Sequence, residues 1–308
     1  MRNVWLAIGL ILLVFFILEL ILSLFFHLRS INSADSLLKF ESDKGPVIDF
    51  EKELQASSEM VWHPYDSWRR KPFSGNSINI DQNGIRKTWN SNLSSKPLTI
   101  FMFGGSTVWG EGVADHSTIP SLLSKKLADH NIHVETINYG ESDYVSTQEV
   151  ITLLLELQRG HLPDIVIFYD GANDVYSALK NRRSGFPVHA QDRRKESILF
   201  NQRNVYKDLY YQFTQGFVPQ SATFQTMKRL VNGPSEEKGL NPKLINEILL
   251  AYMANTKAVR ALSDSYKFDT LLYWKPTLQH SSKKENEIVA NEILADLTEV
   301  IHKRNRAR

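Results

Sequence analysis

Short apolar runs, separated by segments of helical length, dominate the middle and the end of the chain. Each run is continuously apolar rather than alternating, which is typical of strands in a parallel sheet that is buried on both faces. The predicted strands are Leu98–Phe103, Val134–Asn138, Ile165–Tyr169 and Thr270–Trp274. Their alternation with helix-sized segments predicts an α/β fold in which helices cover both faces of the sheet.

The spacing of apolar residues predicts three helices around these strands. They cover Thr118–His130, where Pro120 is tolerated in the first turn, Thr147–Gln158 and Lys283–Lys303. The stretch at about 176–242 breaks the alternation, because it is long and contains arginine pairs and several tyrosines. We interpret it as a partly helical insertion near the mouth of a ligand site.

The chain begins with an apolar segment, Val4–Phe26, in which Glu19 is the only ionisable residue. Its length matches the ~20 residues that a transmembrane helix needs. A cleaved signal peptide is the competing interpretation. Such peptides have an apolar region of about 7–15 residues followed by a small-residue cleavage site. Here the run is longer and continues into His27-Leu28-Arg29, so a membrane anchor is favoured.

The anchor divides the chain into three parts: the span at 4–26, a polar stalk or lead-in at 27–60, and a folded domain at 61–308. Basic residues on the two sides of the span differ little in number. A short tail before a large domain nevertheless favours a single-pass membrane protein with an extracytoplasmic domain, on the periplasmic side of a bacterial inner membrane. The lipid bilayer is then one partner of the chain.

Charge balance and cysteine content narrow the possible chemistry. The 36 basic and 34 acidic residues leave a net charge of +2, which gives no basic excess for binding nucleic acid. The chain has no cysteine, so disulfides, thiolate catalysis and cysteine-based metal sites are excluded. The chemistry that the remaining residues suggest needs no metal and no cofactor.

Serine, glycine and asparagine follow three of the predicted strands. Open α/β sheets bind ligands at the carboxyl ends of their strands, where these residues would meet. The three segments are Gly104-Gly105-Ser106-Thr107, Asn138-Tyr139-Gly140 and Asp170-Gly171-Ala172-Asn173-Asp174. Acyl transfer needs such a set, because a serine hydroxyl attacks the carbonyl and N–H donors hold the oxyanion.

Each segment also has a plainer interpretation when it is taken alone. The first could be a tight turn, and Asn173-Asp174 could cap a helix. The first segment matches neither a P-loop nor a dinucleotide fingerprint. Nor is it the nucleophile elbow of α/β-hydrolases, because Val108 stands where that motif has glycine. The order of the three segments, each after a predicted strand, favours a catalytic site.

Together the three segments resemble the conserved blocks of the SGNH, or GDSL-like, hydrolase family. The resemblance implies a flavodoxin-like sheet, Ser106 as the nucleophile, and an oxyanion hole formed by Ser106, Gly140 and Asn173. Gly104, Gly105, Gly171 and Asp174 complete the matching motifs. The chain departs from the family at Gly105, where the first block normally has aspartate.

The family's last block, Asp-x-x-His, supplies the general base, and we do not find it. His302 has no aspartate three residues before it, and the spacing of His280 is not that of the family. The catalytic His and Asp are therefore unassigned. We expect a domain that lacks the fifth strand of the sheet and a 308-residue chain with little hydrolase activity.

The leading functional hypothesis is a serine esterase or O-acyl hydrolase that acts on a small-molecule or polysaccharide ester at the cell envelope. One alternative is a catalytically impaired copy with a binding or scaffold role. Another is an O-acyltransferase of envelope polysaccharide. The sequence does not distinguish hydrolase from transferase, and it does not identify the acyl group, the alcohol or the oligomeric state.

Overall fold

The computed structural model describes residues 47–91, 97–190, 241–275 and 282–307, together with six single positions between residues 10 and 21. The elements described below belong to one compact unit, formed by Lys44–Ala190 and Leu240–Arg308. The predicted span Val4–Phe26 lies almost wholly outside the described residues and stays a prediction. Within the described residues, no helix has the length and apolar character needed to cross a membrane.

In the described residues, this unit consists of a parallel sheet, two small hairpins before it and seven helices. In chain order, the elements are α1 (Val47–Ala56), β1 (Met60–His63), β2 (Ser67–Arg70), β3 (Phe73–Ser74), β4 (Asn79–Ile80), β5 (Leu98–Gly104), α2 (Ser106–Trp109), α3 (Ile119–Asp129), β6 (Val134–Asn138), α4 (Ser146–Gln158), β7 (Ile165–Gly171), α5 (Ala172–Asn181), α6 (Pro242–Tyr266), β8 (Asp269–Lys275) and α7 (Lys283–Ala307). A single 3₁₀ turn, Asp115–Ser117, leads into α3.

The main sheet has the strand order β6-β5-β7-β8, and all neighbouring pairs are parallel. In register, Ile100 of β5 lies opposite Thr136 of β6 and Ile165 of β7, and Ile165 lies opposite Asp269 of β8. This is the order of a flavodoxin-like sheet, in which the chain reverses direction across the sheet between β5 and β7. The predicted α/β class and all four predicted strands are confirmed.

Helices cover both faces of the sheet, as continuous apolar strands require. On one face, α3 and α7 pack against alternate strand residues such as Met102 and Ile167. On the other face, α4 and α6 pack against Phe103 and Phe168. Successive residues of a strand point to opposite faces, so adjacent residues are both buried in the central strands β5 and β7.

The segment before the sheet is also folded. The antiparallel hairpins β1–β2 and β3–β4 precede β5. Helix α1 lies within the range 27–60 that the sequence suggests is a lead-in. Its Phe50 and Leu54 pack against buried Ile78. Its Glu53 accepts hydrogen bonds from the backbone N–H groups of Ser77 and Ile78, which fixes the loop between β3 and β4.

The structure differs from the sequence prediction in two places that matter for the site. Strand β7 continues to Gly171 and α5 begins at Ala172, so the third segment is a direct junction and not a loop. Helix α5 includes residues that the prediction gave to the insertion, and the 25-residue helix α6 begins at its predicted end. Residues 191–240 of the insertion lie outside the described residues.

Candidate active site

Ser106 is the first residue of α2, directly after β5 and the cap residue Gly105. Its carbonyl accepts backbone hydrogen bonds from Gly110 and Glu111, so the helix closes into a single tight turn. Ser106 itself is half-buried. The strand end thus presents the hydroxyl at the carboxyl edge of the sheet, where the sequence prediction places it.

Asn173 lies in the first turn of α5, after the junction at Gly171. Gly171 has a φ of 115°, and a Cβ there would lie 2.8 Å from the ring of Trp274 on β8. Only glycine fits this conformation without strain. After this sharp junction, the amide nitrogen of Asn173 donates to the carbonyl of Tyr144, in the loop between β6 and α4, at 2.8 Å.

Ser106 and Asn173 line one pocket. Tyr144, Asp170 and Lys275 also line it, so it draws on the ends of β5, β7 and β8 and on the loop after β6. A Cβ on Gly105 would lie 2.5 Å from the amide nitrogen of Asn173. A side chain at position 105 would therefore displace the Asn173 amide, which gives a steric reason for Gly105.

Gly140 packs behind Ser106. A Cβ there would lie 2.4 Å from the backbone nitrogen of Trp109, so only glycine allows the second segment to approach α2 this closely. The N–H of Gly140 donates to the side chain of Asn138 at 3.0 Å. Asn138 in turn donates to the carbonyl of Val108 at 3.1 Å. The role of Gly140 as an oxyanion donor stays a prediction, and in this structure its N–H is engaged.

A buried cluster of ion pairs, which sequence reasoning missed, holds these segments from behind. The guanidinium groups of Arg70 and Arg86 lie 3.6 and 4.2 Å from the ring centroid of buried Trp109, the last residue of α2. Arg70 pairs with Glu141 at 3.1 Å. Arg86 pairs with Asp115 at 2.9 Å. We call Arg70, Arg86 and Trp109 the arginine–tryptophan clamp.

The clamp reaches the backbone as well as the side chains. Arg86 donates to the carbonyls of Trp109, Gly110 and Val113, at 3.0, 2.6 and 2.6 Å. These carbonyls follow the short helix that begins with Ser106, and an unpaired buried carbonyl would be costly. The sequence signal for the clamp is weak, because Arg70 and its partner Glu141 are 71 positions apart.

The general base remains unassigned. Among the described residues, no histidine lines the pocket. His302 is exposed on α7, as the sequence suggests, and His280 lies outside the described residues. The ring centroid of Trp68 lies 6.0 Å from that of pocket residue Tyr144 and 5.6 Å from that of His189. The Trp68 ring therefore connects His189 to a residue of the pocket.

The charged groups at the pocket are a lysine and a buried aspartate. Lys275 lies 3.4 Å from Glu292 and 6.0 Å from the ring centroid of Tyr169. Burial and the nearby charge of Glu292 raise the pKa of Tyr169 to about 12, so its hydroxyl stays protonated. Burial, together with the charge of Asp174, raises the pKa of Asp170 above its usual value. The pocket thus contains a carboxyl that binds a proton more tightly than an exposed aspartate does.

No family model and no curated protein matches the sequence. Solved structures do align with it. The psychrotrophic esterase EstA from Pseudoalteromonas sp. aligns over 66% of this chain and 98% of its own, with 16% identity and a TM-score of 0.34. A lipolytic protein of the G-D-S-L family from Veillonella parvula aligns over 65% and 98%, with 13% identity and a TM-score of 0.32. The lipase/acylhydrolase from Enterococcus faecalis aligns over 65% of this chain and 95% of its own, with 14% identity and a TM-score of 0.30.

The chain is thus similar to solved hydrolases described as esterases or as lipolytic proteins of the G-D-S-L family. None of them shares as much as a fifth of its residues with this chain. The functional argument therefore rests on the geometry of the site itself.

Proposed function

We propose that this chain is a serine ester hydrolase of the SGNH type, with Ser106 as its nucleophile. One observation carries the proposal. Ser106 and Asn173 come from the ends of neighbouring strands and line the same pocket, with the Asn173 amide against the residue before the serine. A nucleophile beside an amide donor is the arrangement that acyl transfer needs.

The reaction begins when the Ser106 hydroxyl attacks the ester carbonyl and loses its proton to the unassigned base. The carbonyl oxygen becomes an oxyanion, which the N–H of Ser106 and the amide of Asn173 stabilise. That amide nitrogen has two hydrogens, and Tyr144 accepts one of them, which leaves the second for the oxyanion. The alcohol then leaves, and water cleaves the acyl-serine.

Gly140 is the third donor in this proposal. Its N–H reaches a substrate only if it exchanges its bond to Asn138 for one to the oxyanion. The resemblance to the family supports this role. Ser106 and Asn173 are sufficient for the mechanism above, so the proposal does not depend on Gly140.

We further propose that the enzyme acts at the cell envelope on a small-molecule or polysaccharide ester. The apolar run Val4–Phe26 supports this setting, because it has the length and composition of a membrane anchor. A sugar hydroxyl in place of water as the acyl acceptor would make the same site an O-acyltransferase.

Labelling with a fluorophosphonate probe tests the proposal, because the probe reacts with activated serine hydroxyls. We expect the purified full chain to be labelled at Ser106 and Ser106→Ala to lose the label. Ser74→Ala, which changes an exposed serine on β3, is the control and should keep it. Labelling that survives Ser106→Ala would contradict the assignment, and an unlabelled wild-type chain would favour a binding role.

A further inference from the structure

Three carboxyl side chains are buried together beside the candidate pocket. Glu149 of α4 is 0% exposed, Asp170 of β7 is 7% exposed and Asp174 of α5 is 4% exposed. Asp170 also lines the pocket that contains Ser106. Burial of charged groups without a partner is costly, so such a cluster requires a physical explanation.

The first turn of α4 anchors both ends of the segment that carries Asn173. Asp174 accepts hydrogen bonds from the backbone N–H and the hydroxyl of Ser146, at 3.1 and 2.6 Å. In the same turn of α4, Glu149 lies within hydrogen-bonding reach of Asp170. Asn173 therefore lies between two acids that contact the same helical turn.

The carboxyl oxygens with which Glu149 and Asp170 face each other have no hydrogen-bond donor in the described part of the chain. Both carboxyl oxygens of Glu149 and Oδ1 of Asp170 have no hydrogen-bond donor among the described residues. The groups that face them are each other, Asp174, and the hydroxyl of Tyr252 from α6, which bonds to Asp170. None of these groups is a cation. Two carboxylates cannot hydrogen-bond, because neither has a proton, but an acid and a carboxylate can.

We propose that Glu149 and Asp170 share one proton as an acid–carboxylate pair, and that this pair positions the junction between β7 and α5 on which Asn173 lies. Glu149 is thus a positioning residue that acts through Asp170. The pKa values agree with this geometry. Burial, with the charges of Asp170 and Asp174, raises the pKa of Glu149 well above its usual value, as expected for a buried acid that holds a proton beside a carboxylate. Only the catalytic consequence rests on the proposed function.

The shared proton predicts the direction in which the stability of the fold changes with pH. The folded chain holds a proton on Glu149 that the unfolded chain releases above about pH 4.5. Stability therefore falls as the pH rises from that value toward the folded pKa. Glu149→Gln keeps a donor to Asp170 but has no carboxyl that can take up a proton. Its Tm should therefore depend less on pH between 5 and 8. The difference should be about 3–5 °C for each pH unit in that window.

Glu156→Gln is a matched control on the same helix. Burial alone would raise the pKa of Glu156, but hydrogen bonds from His161 and Tyr139 outweigh it and lower the pKa. Glu156 therefore stabilises the fold above about pH 4.5, and its loss should lower the Tm at pH 7. Opposite changes in the Tm at pH 7 for Glu149→Gln and Glu156→Gln support the proposal. Equal pH dependence of wild type and Glu149→Gln would overturn it.

Infrared spectroscopy detects the proton without any assay of activity. The folded wild-type chain should show a carbonyl band of a protonated carboxylic acid at pH 7, and Glu149→Gln should lack it. A band that is absent from the wild type, or that persists in Glu149→Gln, would overturn the shared proton. These measurements decide the proposal even if the chain has no hydrolase activity.

Kinetics test the positioning role. Glu149→Ala should lower kcat about tenfold or more with little change in KM, because small displacements of a catalytic group are costly. Glu149→Gln should restore most of the loss, since the amide still donates to Asp170. A change in KM alone, or failure of glutamine to rescue a folded chain, would refute positioning. Absence of Ser106-dependent turnover in wild type would count against the proposed function.

Discussion

Asn173 makes a structural contact through the nitrogen atom that we propose as an oxyanion donor. Its hydrogen bond to the carbonyl of Tyr144 holds the amide plane in place before any substrate arrives. A donor that is already oriented costs no reorganisation when the oxyanion forms, which makes such donors effective in catalysis. The absence of a side chain at Gly105 leaves space for the same amide, since a Cβ there would lie 2.5 Å from its nitrogen.

Asn173→Ala should therefore lower kcat by about 10²–10³-fold and leave KM nearly unchanged, as for the loss of one oxyanion donor. Steady-state kinetics with an activated ester would measure both constants. Asn181→Ala is a control, because Asn181 lies on the same helix and bonds to Ser177 and Pro187. A rise in KM alone would instead mark Asn173 as a ground-state binding residue.

At the scale of elements, α2 is too short to be stable by itself. It has four residues, so intrahelical hydrogen bonds cannot hold it in place. The arginine–tryptophan clamp provides this support. Arg86 bonds to the carbonyls that follow α2, and Arg70 links β2 to Glu141 in the segment behind Ser106. The hairpins before the sheet are thus part of the support of the nucleophile.

Arg86→Met should lower the free energy of unfolding by about 3–5 kcal/mol. The substitution leaves Asp115 without its cation and removes one donor from each of three carbonyls, and breaking a buried ion pair is costly. Urea denaturation would measure the change. Lys71→Met, at the exposed pair with Glu59, is the matched control and should change stability by about 1 kcal/mol or less. Similar losses in the two variants would show that the clamp contributes little.

At the scale of the whole molecule, the described unit has its own core on both faces of the sheet. The residues of that core come well after the apolar segment at the start of the chain. We therefore expect membrane attachment and folding of this unit to be separable properties.

The full chain should stay in the membrane pellet after carbonate extraction, because a span of about 20 apolar residues is held by the bilayer. The control is a chain that starts at Ser30, which should be found in the supernatant. N-terminal sequencing of the pelleted protein should find Met1 or Arg2. Release of the full chain, or a mature form that begins after Arg29, would contradict the anchor and indicate a cleaved signal peptide.

The sequence by itself determined the sheet and the positions of Ser106 and Asn173. Apolar runs identify buried strands because both faces of a parallel sheet are covered, and the carboxyl ends of such strands meet at one edge. The glycines Gly104, Gly105 and Gly171 could also be identified from the sequence, because a tight strand-to-helix turn depends on residues that are adjacent in the chain. These features follow from local pattern and chain order.

Only the tertiary structure decided which partners surround those residues. It placed Glu149 against Asp170, Arg86 against Asp115, and the N–H of Gly140 on Asn138. Burial and electrostatic environment are set by groups that lie far apart in the sequence, so composition and spacing do not predict them. The sequence alone does not distinguish a buried glutamate in a helix from an exposed one, because tertiary packing decides whether its carboxyl is desolvated. For this reason the sequence located the proposed nucleophile, whereas the structure revealed the buried groups around it.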